Sequence, residues 1–402
     1  MTPKQAIPPS ITGLDGAPAE SVLDHAFGTG DPYTLGVEEE YQLLDSGTFD
    51  LVQHIDTILA AVSGHELEAQ INAELMQSVL EIATPICRTA GDVMAALTML
   101  RGYVTGVALD KGLRVGSAGT HPFSLFERQR ITAKDRYRAL IDQLQYVARR
   151  ELIFGMHVHV AVDDPEKAIQ VVNGLLPHLA PLLAMSASSP FWRGEPTGLA
   201  SSRQMVFSAF PRSGPPPRFR DYADYADVVG RLERSGCIAD YTHIWWDIRL
   251  HPRLGTVEVR ICDAVSQIED AVAIAAYCQA LVKQLCERYD AGEAIPSYHR
   301  ILTSENKWLA ARYGLHAPVM DLATGRRNRV PVSRLIRRTV SEVAPHAREL
   351  GSERELEGVL EIVSRGNGAD RQLRVYNANR DIVEVAREIA ETTEALPLPV
   401  QA

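Results

Sequence analysis

Apolar and polar residues alternate at period 2 through 245–250 and again through 256–261, and both runs are rich in β-branched and aromatic side chains. That period predicts two strands. It puts Glu258 and Arg260 on one face of the second strand, with Val257, Val259 and Ile261 on the other. Asp247 and Arg249 share a face of the first strand in the same way. Pro252 and Gly255 lie between the two, so an antiparallel hairpin is the expected connection.

The same pattern occurs twice more upstream, with an apolar strand-like run between the two. Residues 33–44 alternate so that Glu38 and Glu40 share one face, while Glu39 falls opposite with Val37 and Tyr41. The run ending in Leu80-Glu-Ile-Ala-Thr84 carries a single acid, Glu81, among apolar neighbours. Glu74 stands at an odd separation from it, so the two can act together only if a bend or loop intervenes. Residues 152–161 place His157 and His159 on one face and Met156, Val158 and Val160 on the other.

Elsewhere the period lengthens to that of helices. A helix is predicted over 89–112, with Thr89 as N-cap, Asp92 at its N3 position and Gly112 as the stop. A short strand over 113–118 and a turn at 119–123 follow, with His121 expected to cap the turn. Further helices are predicted over 135–150, 168–188 (interrupted by Pro177 and Pro181) and 221–235. From Glu269 onward the chain reads as mainly helical, at about 269–290, 301–313, 331–345, 352–364 and 379–394. The long Gly/Pro-rich passage 189–220 reads as a functional loop, because Phe191, Trp192, Phe207 and Phe210 argue against disorder.

Composition narrows the class. The 402 residues are 46% hydrophobic and 23% charged, enough for a large core. Pro, Gly, Ala and Ser in residues 1–30 predict a flexible N-terminal arm, and no boundary divides 31–395, which is expected to form one domain with a mainly helical part over about 269–395. The formal net charge of −10 argues against nucleic acid as a partner. No apolar run approaches the roughly 20 residues that span a bilayer, and the first residues do not form a secretory signal. The five cysteines show no CxxC spacing; Cys278 and Cys286 on one helix would stand about 12 Å apart. Reduced, buried thiols in a cytoplasmic protein are the expectation. Neither a P-loop nor a GxGxxG after a strand is present.

The strand-borne groups collect into a chemistry. Glu38, Glu40, Glu81, His157, His159 and Glu258, with Glu74 nearby, suit hard divalent cations, whereas Arg203, Arg249 and Arg260 suit bidentate capture of phosphate or carboxylate. Solvated sheet edges would explain any one of these acids alone. Together they are the parts for phosphoryl transfer.

Gly36-Val-Glu-Glu-Glu40, Leu80-Glu-Ile-Ala-Thr84, Gly119-Thr-His-Pro-Phe123, Gly155-Met-His-Val-His-Val160, Ala200-Ser-Ser-Arg203, Trp246-Asp-Ile-Arg249, Gly255-Thr-Val-Glu-Val-Arg260 and Glu305-Asn-Lys-Trp308 resemble the signature blocks of the type 2 glutamate–cysteine ligases. The likeness covers roughly residues 33–380. It implies an α+β fold, an antiparallel sheet funnel with helices packed outside, like that of glutamine synthetase and the guanido kinases. It also implies an ATP-dependent carboxylate–amine ligase that makes a γ-glutamyl amide through an acyl phosphate, with Mg²⁺ or Mn²⁺ and as a possible homodimer.

Carried over, Glu38, His157 and Glu258 would hold the metal nearer the nucleotide, and Glu40, Glu74 and Glu81 the metal nearer the acceptor. Arg260 would stabilise the transferred phosphoryl group, with Arg249 and Glu74 assisting catalysis. Arg203, His159 and Lys307 would contact nucleotide or substrate. Two alternatives stand beside this: a non-haem metal oxygenase using His157, His159 and Glu258, and a non-catalytic binding protein on the same scaffold. The acceptor amine, cysteine or another, carries no mark in the sequence.

Overall fold

A computed structural model describes residues 24–296, 298–325 and 327–396. Its centre is β1 (Leu35–Asp45), which is long enough to serve two neighbours along one edge. The first half of β1 pairs with β5 (Met156–Ala161) and the second half with β4 (Leu113–Gly116). On its other edge lies β3 (Val79–Ala83), followed by β2 (Ile71–Ala73). Beyond β5 come β7 (Thr256–Val259) and β6 (Ile248–His251), the predicted hairpin. The seven strands run in the order β6-β7-β5-β1-β3-β2 with β4 beside β1, and every pairing is antiparallel. This is the expected α+β arrangement.

One face of the sheet is apolar. Val37, Tyr41, Leu80, Ile82, Val158, Val160, Val257 and Val259 are buried there, in a cluster that continues into the C-terminal helices as far as Ile362. Helices α1 (Ala90–Asp110), α2 (Asp135–Leu144), α3 (Ser202–Phe207), α4 (Ile268–Asp290) and α5 (Arg300–Tyr313) surround the sheet, and α1 and α4 pack on this apolar side. Glu39 is the exception on that face. It is buried against Arg101 of α1, whose Nε donates to it at 2.9 Å, and Tyr41 donates its hydroxyl to the same carboxylate. Arg101 also donates to the Ser266 carbonyl at 2.6 Å, so the buried pair ties sheet, α1 and the start of α4 together.

Helix ends follow local chemistry. Thr89 and Asp92 form the capping box of α1, and Gly112 closes it with φ +72°. The predicted 135–150 helix instead breaks at Gln145, which takes φ +49° between α2 and the short helix Tyr146–Arg149. The predicted 168–188 helix is three pieces, Pro165–Leu175, Leu176–His178 and Leu179–Ser186, cut where the prolines remove donors. The passage 189–220 holds α3, and Gly368–Asn379 is a helix that the sequence reading passes over.

Residues 1–23 of the predicted arm lie outside the described residues, but 24–30 are pinned: Ala26 donates to the Pro252 carbonyl at 2.9 Å, and Phe27 is buried. Gly255 (φ +66°) is required at that contact, since a Cβ would stand 2.5 Å from the Ala26 oxygen. Cys237 is exposed, although the other four cysteines are buried as free thiols. Finally, Ala90–Asp110 and Pro165–Ser186 are long and apolar enough to cross a membrane by length and composition; 44% and 83% of their apolar windows are buried in the fold.

Candidate active site

The polar face of the sheet floors a cavity of about 310 Å³. Strand register builds that floor in rows. In one row Arg249 stands opposite Glu258, and Glu258 opposite His159. In the next, His157 stands opposite Glu38, and in the third Glu40 opposite Glu81. Glu74 reaches the same face because it continues β2, the antiparallel partner of β3, so the odd spacing from Glu81 is absorbed by the turn between them. Every predicted site residue except Lys307 lines the cavity.

At one end Glu258 is clamped between two guanidinium groups. Arg249 donates to it through Nε at 2.8 Å, and Arg260 through Nη1. Burial alone would raise this carboxyl, but Arg249 and Arg260 outweigh it and hold the group well below its ordinary range. Glu38 is treated alike: against burial, the hydrogen bond from His157 and the nearby His159 imidazole hold its carboxyl well below the ordinary range. His157 uses Nδ1 on Glu38 at 2.9 Å, and burial with the Arg260 charge pulls it down to about 4.

His159 anchors Nδ1 on Thr256 at 3.0 Å, leaving Nε2 buried and without a hydrogen-bond partner. That nitrogen is 3.4 Å from Glu38 and 3.9 Å from Glu258. Ligand atoms of Glu38, His159 and Glu258 lie within 4.8 Å of one another. The geometry thus groups His159, rather than His157, with the two acids.

At the other end Glu40, Glu74 and Glu81 face one another. Burial and then the Glu74 charge push Glu40 up to about 7; burial, Glu74, Glu38 and Glu40 push Glu81 well above the carboxylate range; burial also raises Glu74. Three half-buried acids that resist ionising together are the donor set a hard divalent cation satisfies. The orphaned His159 Nε2 beside two carboxylates fits a second cation equally well.

The arginines are held from behind. Arg203 of α3 donates to the carbonyls of Ile261 at 3.2 Å and Arg260 at 3.4 Å. The segment before it is fastened to buried Asp263, which accepts from Ser189 Oγ at 2.7 Å and Ser201 Oγ at 2.8 Å. Gly155 makes room for the guanidinium: a Cβ there would lie 2.5 Å from Arg203 Nη2. Lys307 of α5 is elsewhere. It is bound to both oxygens of buried Asp247, at 2.7 and 2.8 Å, which also takes Asp247 out of the polar row predicted for it. His121 accepts from the Ser124 amide at 3.0 Å, the turn-capping role expected of it.

Several lining residues escape the sequence reading. Glu151, Arg136, Tyr137 and His251 all face the cavity. Burial pushes Glu151 up to about 8 and pulls His251 down to about 4. A signal existed for Glu151: counting back by twos from His157 through Gly155 and Ile153 reaches it.

Residues 34–392 match the model of Glutamate-cysteine ligase family 2. A Rubrobacter xylanophilus protein provisionally named glutamate–cysteine ligase 2-1 is 45% identical over 361 residues, covering 90% of this chain and 95% of its own. A Sorangium cellulosum protein with a provisional glutamate–cysteine ligase 2 name is 41% identical over 92% of this chain and 97% of its own.

Among solved structures, the glutamate–cysteine ligase of Francisella tularensis in complex with AMP superposes with TM-score 0.63 at 13% identity, over 92% of this chain and 91% of that one. A bifunctional glutathione synthetase from Pasteurella multocida gives TM-score 0.65 at 15% identity, over 90% of this chain and 52% of the other. At such identities the structures speak for the fold alone.

Proposed function

From the premise that the chain belongs to glutamate–cysteine ligase family 2 and is an ATP-dependent carboxylate–amine ligase, we propose that it joins the γ-carboxylate of glutamate to an amine. A γ-carboxylate oxygen attacks the γ-phosphorus of ATP; the bond to the bridging oxygen breaks and ADP leaves. The amine nitrogen then attacks the acyl carbon, the bond to the phosphate oxygen breaks, and phosphate departs with that electron pair. The proton lost by the amine passes to a carboxylate at the Glu74 end. Family membership removes the oxygenase and non-catalytic alternatives.

The observation that carries this reading is the meeting of two clusters of carboxylates, Glu38 with Glu258 and Glu40 with Glu74 and Glu81, and four arginines in one cavity. Glu40, Glu74 and Glu81 would hold one Mg²⁺ or Mn²⁺, and Glu38 and Glu258 with an imidazole of the His157/His159 pair the other. Bound there, such ions supply neutralisation of phosphate charge. Arg260, whose Nε is buried without a partner, is suited to the transferred phosphoryl group. Arg249 spends its donors on Glu258 and the carbonyls of Thr242 and Ile244, and so positions that carboxylate. Arg203 faces substrate carboxylate or phosphate.

The acceptor is cysteine or another amino acid or amine. The protein is further read as a cytoplasmic homodimer acting on small molecules without nucleic acid or membrane; its buried thiols and acidic balance favour that setting.

ADP release measured over a panel of acids and amines tests the assignment. Turnover that needs both an acid and an amine is expected, and it should vanish in Glu258→Ala at unchanged fold. ATP hydrolysis indifferent to any amine would overturn it.

A further inference from the structure

Once the cation-holding groups and the phosphoryl-facing Arg260 are assigned, and Arg249 and Arg136 are set aside as acting on Glu258 and Glu74, two charged side chains in the cavity wall are left over, Glu151 and Arg203. They are opposite in charge and close enough that Arg203 is the strongest electrostatic influence on Glu151, yet no ion pair joins them within 4.0 Å among the described residues. Each keeps a buried polar atom without a hydrogen-bond partner, Oε2 of Glu151 and Nε of Arg203. Buried polar atoms are normally paired, and an exception in a substrate cavity points to a group the substrate brings. A carboxylate and a guanidinium set apart in one wall complement the ammonium and carboxylate of an amino acid.

We propose that Glu151 receives the α-ammonium group of an amino-acid substrate, with Arg203 facing that substrate's carboxylate. This rests on the ligase reading above and adds to it a residue that recognises the amino group. The position follows from local structure. Glu151 lies on the lead-in to β5, on the same side as Ile153 and His157, so its side chain is carried to the wall that also holds Arg203. Burial, with the Glu40 charge, pushes the carboxyl up to about 8 against the pull of Arg203 and Arg150, and a substrate ammonium in direct contact would supply the counter-charge it lacks.

The amino acid concerned is either the donor or the acceptor, and desamino analogues separate the two. Binding of L-glutamate against glutarate, and of L-cysteine against 3-mercaptopropionate, is measured by calorimetry on wild type and Glu151→Gln with Mg²⁺ and a non-hydrolysable ATP analogue. Wild type should favour the amino compound in at least one pair. In Glu151→Gln that preference should fall about ten- to a hundredfold, the loss of one charge-assisted hydrogen bond. A fall in the glutamate pair assigns the donor, and a fall in the cysteine pair the acceptor.

Affinity for the ATP analogue should not change and the melting temperature should not fall; if either drops in parallel, Glu151 is merely structural and the proposal fails. Preferences unchanged in both pairs, or absent from wild type, also overturn it. Amine-dependent ADP release by wild type is measured alongside. Its absence would sink the ligase reading itself, whereas its presence with unchanged preferences would sink only the role of Glu151.

Discussion

Replacing Glu40 by glutamine should stabilise the metal-free protein and at the same time disable it. Glu40 stands opposite Glu81 across the β1–β3 pair, and its carboxyl is pushed from 4.5 up to about 7 by burial and the Glu74 charge. A folded value above the unfolded one means the unfolded chain releases its proton first. Stability is therefore lost as pH rises from about 4.5 to about 7 and stays lost above that. At 1.36 kcal/mol per pH unit that interval amounts to about 3 kcal/mol as an upper bound. Glutamine keeps the acceptor for the Gly155 amide and has no proton to lose.

Denaturant melts of both proteins across pH 4 to 8, with chelator and then with Mg²⁺, check this. The two curves should coincide near the acid end and separate by about 1–3 kcal/mol at neutral pH. Mg²⁺ should narrow the gap by stabilising wild type more than the variant, which keeps only the Glu38–Glu258 cation site intact, and ADP release should be lost in the variant. Parallel curves at all pH values, or equal stabilisation of both by Mg²⁺, would refute the reasoning.

Two other substitutions probe the supports of the site. Gly155→Ala places a Cβ 2.5 Å from Arg203 Nη2 and 3.3 Å from His157 Nε2; kcat/KM should fall about a hundredfold by misplacing a substrate-facing group while the melting temperature moves little, and unchanged kinetics would contradict the role given to Gly155. Lys307→Met leaves Asp247 buried without its cation and should cost about 3–5 kcal/mol, largely recovered in the Asp247→Asn/Lys307→Met double variant. Affinity of the folded variant for Mg²⁺–ATP should not change, and a selective loss of nucleotide binding would restore Lys307 to the nucleotide site.

The faces of the site were legible because strand alternation is local. Glu38 with Glu40, His157 with His159, and Glu258 with Arg260 follow from period 2 alone. Their assembly depends on register, which sets Glu258 against His159 and Glu40 against Glu81, and register is a property of pairs of strands that no single stretch reveals. Glu39 shows the same limit: alternation places it on the apolar face, but its partner Arg101 comes from a helix 62 residues away.

Helix boundaries were readable where a cap announced them, as at Thr89 and Gly112. The break at Gln145 carries no glycine and gave no such notice, whereas the Asn367–Asp370 capping box before Gly368–Asn379 was there to be seen. The resemblance of the Glu305-Asn-Lys-Trp308 block points to a nucleotide contact at Lys307, and only the packing shows that Asp247 takes its charge.

The most direct test of the central claim follows the fate of an oxygen atom. With glutamate carrying ¹⁸O in its γ-carboxylate, ATP, Mg²⁺ and an amine that supports turnover, one labelled oxygen should appear in each released phosphate, because the donor oxygen becomes the bridge of the acyl phosphate. Phosphate free of label, with all ¹⁸O retained in the glutamyl carbon's product, would contradict activation of the donor by phosphoryl transfer in this cavity.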